Sequence, residues 1–107
     1  MNLSSKAIKP VGIFDGTTAL SFKQEISQAL TDQAGVIIVN FQDVSFIDSS
    51  GLGALVAAQK IIKSEGKKLI FCGFNAQVKM IFELTNLDRA FEIFPTLDAV
   101  HNHLQSP

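Results

Sequence analysis

Apolar positions fall into two rhythms along this chain. Val36-Ile37-Ile38-Val39 is an unbroken β-branched run, the pattern of a strand buried on both faces. Upstream, Phe22, Ile26, Ala29 and Leu30 recur at helical spacing, with Lys23, Glu25 and Gln28 between them. Thr18 is placed to cap that helix and Ala34-Gly35 to end it. After the Val36-Ile37-Ile38-Val39 strand a polar break at Asn40-Phe41-Gln42-Asp43 leads to Val44-Ser45-Phe46-Ile47 and then to Asp48-Ser49-Ser50-Gly51-Leu52-Gly53. A helix is predicted over about residues 50–64, stopping near Gly66, followed by a strand from Lys68 to Cys72. Asn75 can cap a helix through Val78, Ile81, Phe82 and Leu84. Phe91-Glu92-Ile93-Phe94 reads as a short strand, and Thr96 caps a last helix carrying Leu97, Val100 and Leu104.

This alternation predicts an α/β fold with mainly parallel strands, each joined to the next by a helix. Ala7-Ile8 and Val11-Gly12-Ile13-Phe14 read as two short strands broken at Pro10. Their short connection predicts an antiparallel pair, hence a mixed sheet of four to five strands packed with four α-helices.

The chain has 107 residues, enough for one compact domain and too few for two, so residues 1–107 are expected to form a single domain. With 47% apolar and 18% charged residues it can build a core and is not a disordered chain. Aromatic packing falls to nine Phe, since Trp and Tyr are absent. The net charge of −1 argues against direct nucleic-acid binding, and the only adjacent basic pair, Lys67-Lys68, reads as a solvated strand entrance. A single cysteine, Cys72, excludes an internal disulfide and is too little for a zinc site. It reads as a small buried strand residue. No metal or cofactor is implied. The N-terminus lacks a signal-peptide pattern, and no run approaches the roughly 20 apolar residues that span a bilayer. A soluble, cytoplasmic protein without a membrane partner is expected.

Asp48-Ser49-Ser50-Gly51-Leu52-Gly53 stands where a buried strand turns into a helix, the edge of an α/β sheet where ligands and partners bind. Helix starts leave backbone N–H groups unpaired and carry a slight positive charge. Asp48 or Ser49 can cap those donors, and Gly51 and Gly53 permit close approach of another backbone. Taken alone, the segment reads equally as a capped helix start with tight packing. A phosphate loop is disfavoured because no G-x-x-x-x-G-K-[ST] is present. A serine nucleophile is disfavoured because G-x-S-x-G is absent and the two histidines, His101 and His103, lie in the last helix. No catalytic residues are assigned. At about 100° per residue, Ala54, Leu55, Ala58, Ile61 and Ile62 share a core-facing side of the helix. Leu52, Val56, Gln59 and Lys63 line a neighbouring side, which either forms a half-exposed contact strip or completes the core.

Several stretches together resemble the STAS domain family, the sulfate transporter and anti-sigma factor antagonist family. They are Ile37-Ile38-Val39-Asn40-Phe41, the run from Val44 through Asp48-Ser49-Ser50-Gly51-Leu52-Gly53 to Leu55, Lys68-Leu69-Ile70-Phe71-Cys72, and Phe82-Glu83-Leu84-Thr85-Asn86-Leu87-Asp88. Asn40 is similar to the Asn or Asp that stands before the loop in the antagonist branch. The resemblance implies a non-enzymatic partner switch in bacterial transcription regulation and signal transduction. The unphosphorylated antagonist binds an anti-sigma factor that is also a serine protein kinase, and so frees a sigma factor. The kinase phosphorylates the serine after the motif Asp, here Ser49, and a metal-dependent serine phosphatase reverses this. Partner contacts are expected at Asp48, Ser50, Gly51, Leu52, Val56 and Gln59. The alternative within the family is a structural STAS subunit of a lipid or anion transporter complex, without phosphorylation. A small flavodoxin-like enzyme or nucleotide-binding protein is disfavoured by the missing phosphate loop and catalytic groups.

Overall fold

The computed structural model describes residues 4–105, so the reading of residues 1–3 as free of signal-peptide character falls outside it. The described residues form strands β1 (Ser5–Ile8), β2 (Val11–Phe14), β3 (Val36–Asn40), β4 (Asp43–Ile47), β5 (Lys68–Cys72) and β6 (Glu92–Phe94). The helices are α1 (Gly16–Thr31), α2 (Ser49–Ser64), α3 (Ala76–Leu84) and α4 (Leu97–Gln105). Four strands make a sheet in the order β1-β3-β5-β6, while β2 and β4 form a separate two-stranded sheet.

The expected antiparallel pairing of β1 with β2 does not occur. β1 pairs with β3, from Ser5↔Val36 to Ile8↔Val39, and β2 pairs with β4, from Val11↔Asp43 to Phe14↔Ile47; both pairs are parallel. The connection Lys9-Pro10 explains the outcome. Tight hairpin turns need residues at positive φ, and proline fixes φ near −65°. The chain instead crosses over through α1 before its strands find partners, as parallel pairing requires. β2 carries a register shift at Gly12, whose φ is +84°, next to Ile13.

Every residue of β3 is buried. Its alternation splits the core into two. Ile37 and Val39, with Leu69 and Phe71 of β5, pack against Phe22 and Ile26 of α1, Leu55 and Ile62 of α2, and Val78 and Phe82 of α3. Val36 and Ile38, with Ile70 and Cys72, pack against Val100 of α4 on the other face. Burial pushes the Cys72 thiol pKa up, as for an unreactive core cysteine.

Helix boundaries follow local chemistry. Asp15, rather than Thr18, caps α1: its Oδ1 accepts from the N–H groups of Thr17 and Thr18 at 3.1 Å each. Thr18 Oγ1 donates back to the Ile13 carbonyl at 2.8 Å. α1 closes not at Gly35 but through Gln33 at φ +62°, with Ala34 N–H bonded to Ala29 O and Gln33 N–H to Leu30 O. Asn75 and Thr96 cap α3 and α4 through Val78 N–H at 2.8 Å and Ala99 N–H at 3.1 Å. Asn75 also donates from Nδ2 to the carbonyls of Val44 and Ser45, which ties α3 to β4.

Candidate functional site

β2 and β4 run side by side and each feeds a helix, so the N-termini of α1 and α2 emerge together. Asp15 and Asp48 occupy matching positions, each an extended residue after a strand and each capping the helix that follows. Asp48 Oδ1 accepts from Gly51 N–H at 2.9 Å. Its own N–H donates to the Phe14 carbonyl at 3.3 Å, which links the end of β4 to the end of β2. Hydrogen bonding from the Thr18 backbone holds the Asp15 carboxyl below its ordinary value.

The sequence left the cap between Asp48 and Ser49; it is Asp48, and α2 begins at Ser49, one residue earlier than expected. Ser49 and Ser50 are both exposed, and neither hydroxyl has a hydrogen-bond partner among the described residues. Gly51 is buried. A Cβ there would collide with the carbonyl oxygen and ring of Phe14. Phe14 in turn packs edge-to-face with Phe22 and tilted against Phe41, whose ring centroids lie 5.3 and 5.4 Å away. The glycine therefore lets the helix start rest on a fixed aromatic floor. A Cβ at Gly53 would point into open space. Asn40, buried in β3, accepts from Gln42 N–H at 3.0 Å and shapes the turn that delivers β4 to this place.

Farther along α2, Leu52 and Val56 are half-buried and touch the main core, so this side of the helix is shared between core and solvent. Gln59 is also half-buried, and its Nε2 donates to the Ala90 carbonyl at 2.9 Å. On the other side the expected core face is only partly core. Leu55, Ala58 and Ile62 are buried, Ala54 is half-buried, and Ile61 is 45% exposed. Ile61 belongs to a largely apolar groove of about 440 Å³ between α1 and α2, which runs from Gly16 and Ser50 past Leu20 and Lys23. The sequence did not indicate this groove, because its walls come from helices that one-helix periodicity treats separately.

His101 and His103 lie on α4, across the sheet from α2, so neither sits beside Ser49 or Ser50. Among the described residues no group of His, Cys, Asp and Glu is placed to hold a metal ion. No helix among them is long and apolar enough to cross a membrane.

The STAS domain family model matches residues 5–100. The chain belongs to the STAS domain family. The STAS chain is 30% identical over 80 residues to the anti-sigma-B factor antagonist of Staphylococcus aureus, covering 75% of this chain and 74% of that protein. It is 29% identical over 82 residues to the anti-sigma-B factor antagonist of Listeria monocytogenes, covering 77% and 72%. Among solved structures, a candidate anti-sigma factor antagonist from Thermotoga maritima superposes with a TM-score of 0.86 at 27% identity, over 95% of this chain and 88% of that one. The fold alone is shared more widely. The Bacillus cell fate determinant SpoIIAA in its phosphorylated form gives a TM-score of 0.70 at 22% identity, covering 94% and 92%. A sulfate transporter family protein from Wolinella succinogenes gives 0.85 at 18%, covering 94% and 84%.

Proposed function

We propose that this STAS chain, read as one domain over residues 1–107, is a cytoplasmic anti-sigma factor antagonist that works without catalysis. It binds an anti-sigma factor with serine kinase activity, and phosphorylation of Ser49 turns that binding off. A metal-dependent serine phosphatase restores it. The observation that carries this reading is the exposed, unbonded hydroxyl of Ser49 in the first turn of α2, beside the capping carboxylate of Asp48.

Physical chemistry supports the assignment. Asp48 satisfies the Gly51 N–H and leaves donors earlier in the turn for another acceptor. A phosphate adds a charge of about −1.5 to −2. At a helix N-terminus such a charge is stabilised by up to about 2 kcal/mol in favourable geometry. The modified domain therefore keeps its fold, while the phosphate and Asp48 together repel acidic groups on a docked partner. A 100-fold loss of affinity needs only about 2.7 kcal/mol. Ser50 is the poorer acceptor in this reading because its side chain lines the groove against α1. The contact surface centres on Asp48 and Ser50 with the exposed parts of Leu52, Val56 and Gln59. Gly51, being buried, contributes by setting the height of the helix start.

The test is incubation with ATP and the anti-sigma kinase of the same cell, with the site mapped by fragmentation mass spectrometry. Label on Ser49 in the wild type and Ser50→Ala, and none in Ser49→Ala, supports the assignment. Label on Ser50 overturns it, and no label on any variant favours the structural-subunit reading.

A further inference from the structure

Lys67-Lys68, which the sequence presents as a solvated strand entrance, belongs to a larger arrangement at the far end of α2. Lys63 lies in the last turn of that helix. The chain then turns through Gly66 at φ +72° and enters β5 at Lys68. Across β5 the loop before β6 brings in Arg89. Lys63, Lys67, Lys68 and Arg89 line one shallow basin of about 380 Å³, with Glu92 as its sole acidic lining residue. Four of the chain's nine Lys and Arg residues thus face one of its ten carboxylates. Glu92 is taken up by Lys68 at 3.6 Å and lies 3.9 Å from His103. Lys63, Lys67 and Arg89 form no ion pair among the described residues. The Gln59-to-Ala90 hydrogen bond at 2.9 Å fastens the Arg89 loop to α2 and holds the basin's walls together.

We propose that this basin docks an acidic, extended segment of a partner protein, at a place separate from Ser49. Three observations select that occupant. The basin lies at the C-terminal end of α2, which has no unpaired backbone N–H groups to cradle a compact phosphate, so an anion there is held by the side-chain cations alone. With Glu92 occupying Lys68, the cations left without an ion pair among the described residues are Lys63, Lys67 and Arg89, which spaced carboxylates along a peptide can reach separately. The chain's pI of about 6.0 lacks the domain-wide basicity of nucleic-acid binders. From position 49 to position 63 the helix rises about 21 Å. The Debye length at physiological salt is only about 8 Å. A phosphate on Ser49 is screened from the basin, so this contact persists in both phosphorylation states and does not depend on the Ser49 assignment.

The experiment is an NMR titration of the full chain with a decaglutamate peptide at low and at physiological salt. Inorganic tripolyphosphate and a single-stranded DNA oligonucleotide are run alongside. Amide shifts should centre on Lys63, Lys67, Lys68 and Arg89 and weaken with salt. Lys63→Glu with Arg89→Glu should lose about tenfold or more in affinity, the neutral pair Lys63→Gln with Arg89→Gln should lose less, and Ser49→Asp should bind as the wild type does. Both positions are exposed, and thermal melting confirms that the variants fold. Shifts located elsewhere, no binding, affinity indifferent to charge reversal, or tighter binding of tripolyphosphate or DNA would each overturn the proposal. Equal loss in Ser49→Asp would overturn the separation of the two sites while leaving the Ser49 reading intact.

Discussion

Two aspartates and one glycine set the geometry of the helix pair at which the serines stand. Asp15 is the clearest case because its depressed pKa couples the cap to pH. Its stabilising contribution is complete above the ordinary carboxylate value of 3.8 and is lost as pH falls through the lower folded value. Asp15→Asn retains a good cap without the charge. The difference in urea midpoint between wild type and Asp15→Asn should therefore be constant near neutrality and change only below about pH 4. A difference independent of pH down to 2 would contradict the role assigned to the charge. Gly51 is tested by bulk. Gly51→Ala drives a methyl into the Phe14 carbonyl and ring. Overpacking of this kind costs about 1–3 kcal/mol. In a domain of this size that lowers the melting midpoint by about 4–8 °C per kcal/mol. Gly53→Ala, facing open space, should melt no lower than the wild type, and equal losses at both glycines would remove the Phe14 contact as the reason.

At the scale of elements, the strands from β3 onward and the caps at Asn75 and Thr96 were legible because each rests on a local pattern. The pairing of β1 and β2 was not. Two short runs in sequence suggest a hairpin, and only α1, docked on the sheet, shows that both strands pair in parallel with later ones. The α1 cap was misplaced onto Thr18 for a related reason. The repeated order of strand, Asp, then a small residue, in Phe14-Asp15-Gly16 and Ile47-Asp48-Ser49, was the available signal. Helical periodicity assigned Ile61 to the core, but it cannot see that α1 stands far enough away to leave a groove. The same limit applies to Gln59, found on the strip by spacing and found tied to Ala90 by structure. A hydrogen bond of this type contributes about 0.5–1.5 kcal/mol. Gln59→Ala should lower stability by that order and speed amide exchange in residues 86–91. Unchanged exchange there would show that other contacts hold the loop.

Over the whole molecule, the two ends of α2 divide the surface. One end presents Ser49 and Ser50 beside the apolar groove, and the other presents the cationic basin. The serine end was legible from one contiguous motif. The basin was not, because Arg89 joins the lysines only through the folding of β5 against β6. The phosphate at Ser49 acts, in this account, on recognition and not on the fold. Phosphorylated and unmodified protein should therefore have the same circular dichroism spectrum, and the phosphorylated form should melt no more than about 4–8 °C, the equivalent of 1 kcal/mol, below the unmodified one. The most direct measurement is the affinity of the anti-sigma kinase for the two purified forms, by calorimetry on protein whose Ser49 modification is confirmed by mass spectrometry. Tight binding is expected for the unmodified chain and for Ser49→Ala, with a loss of about 100-fold, or 2.7 kcal/mol, on phosphorylation. Equal affinity for both forms, with the fold intact, would contradict it.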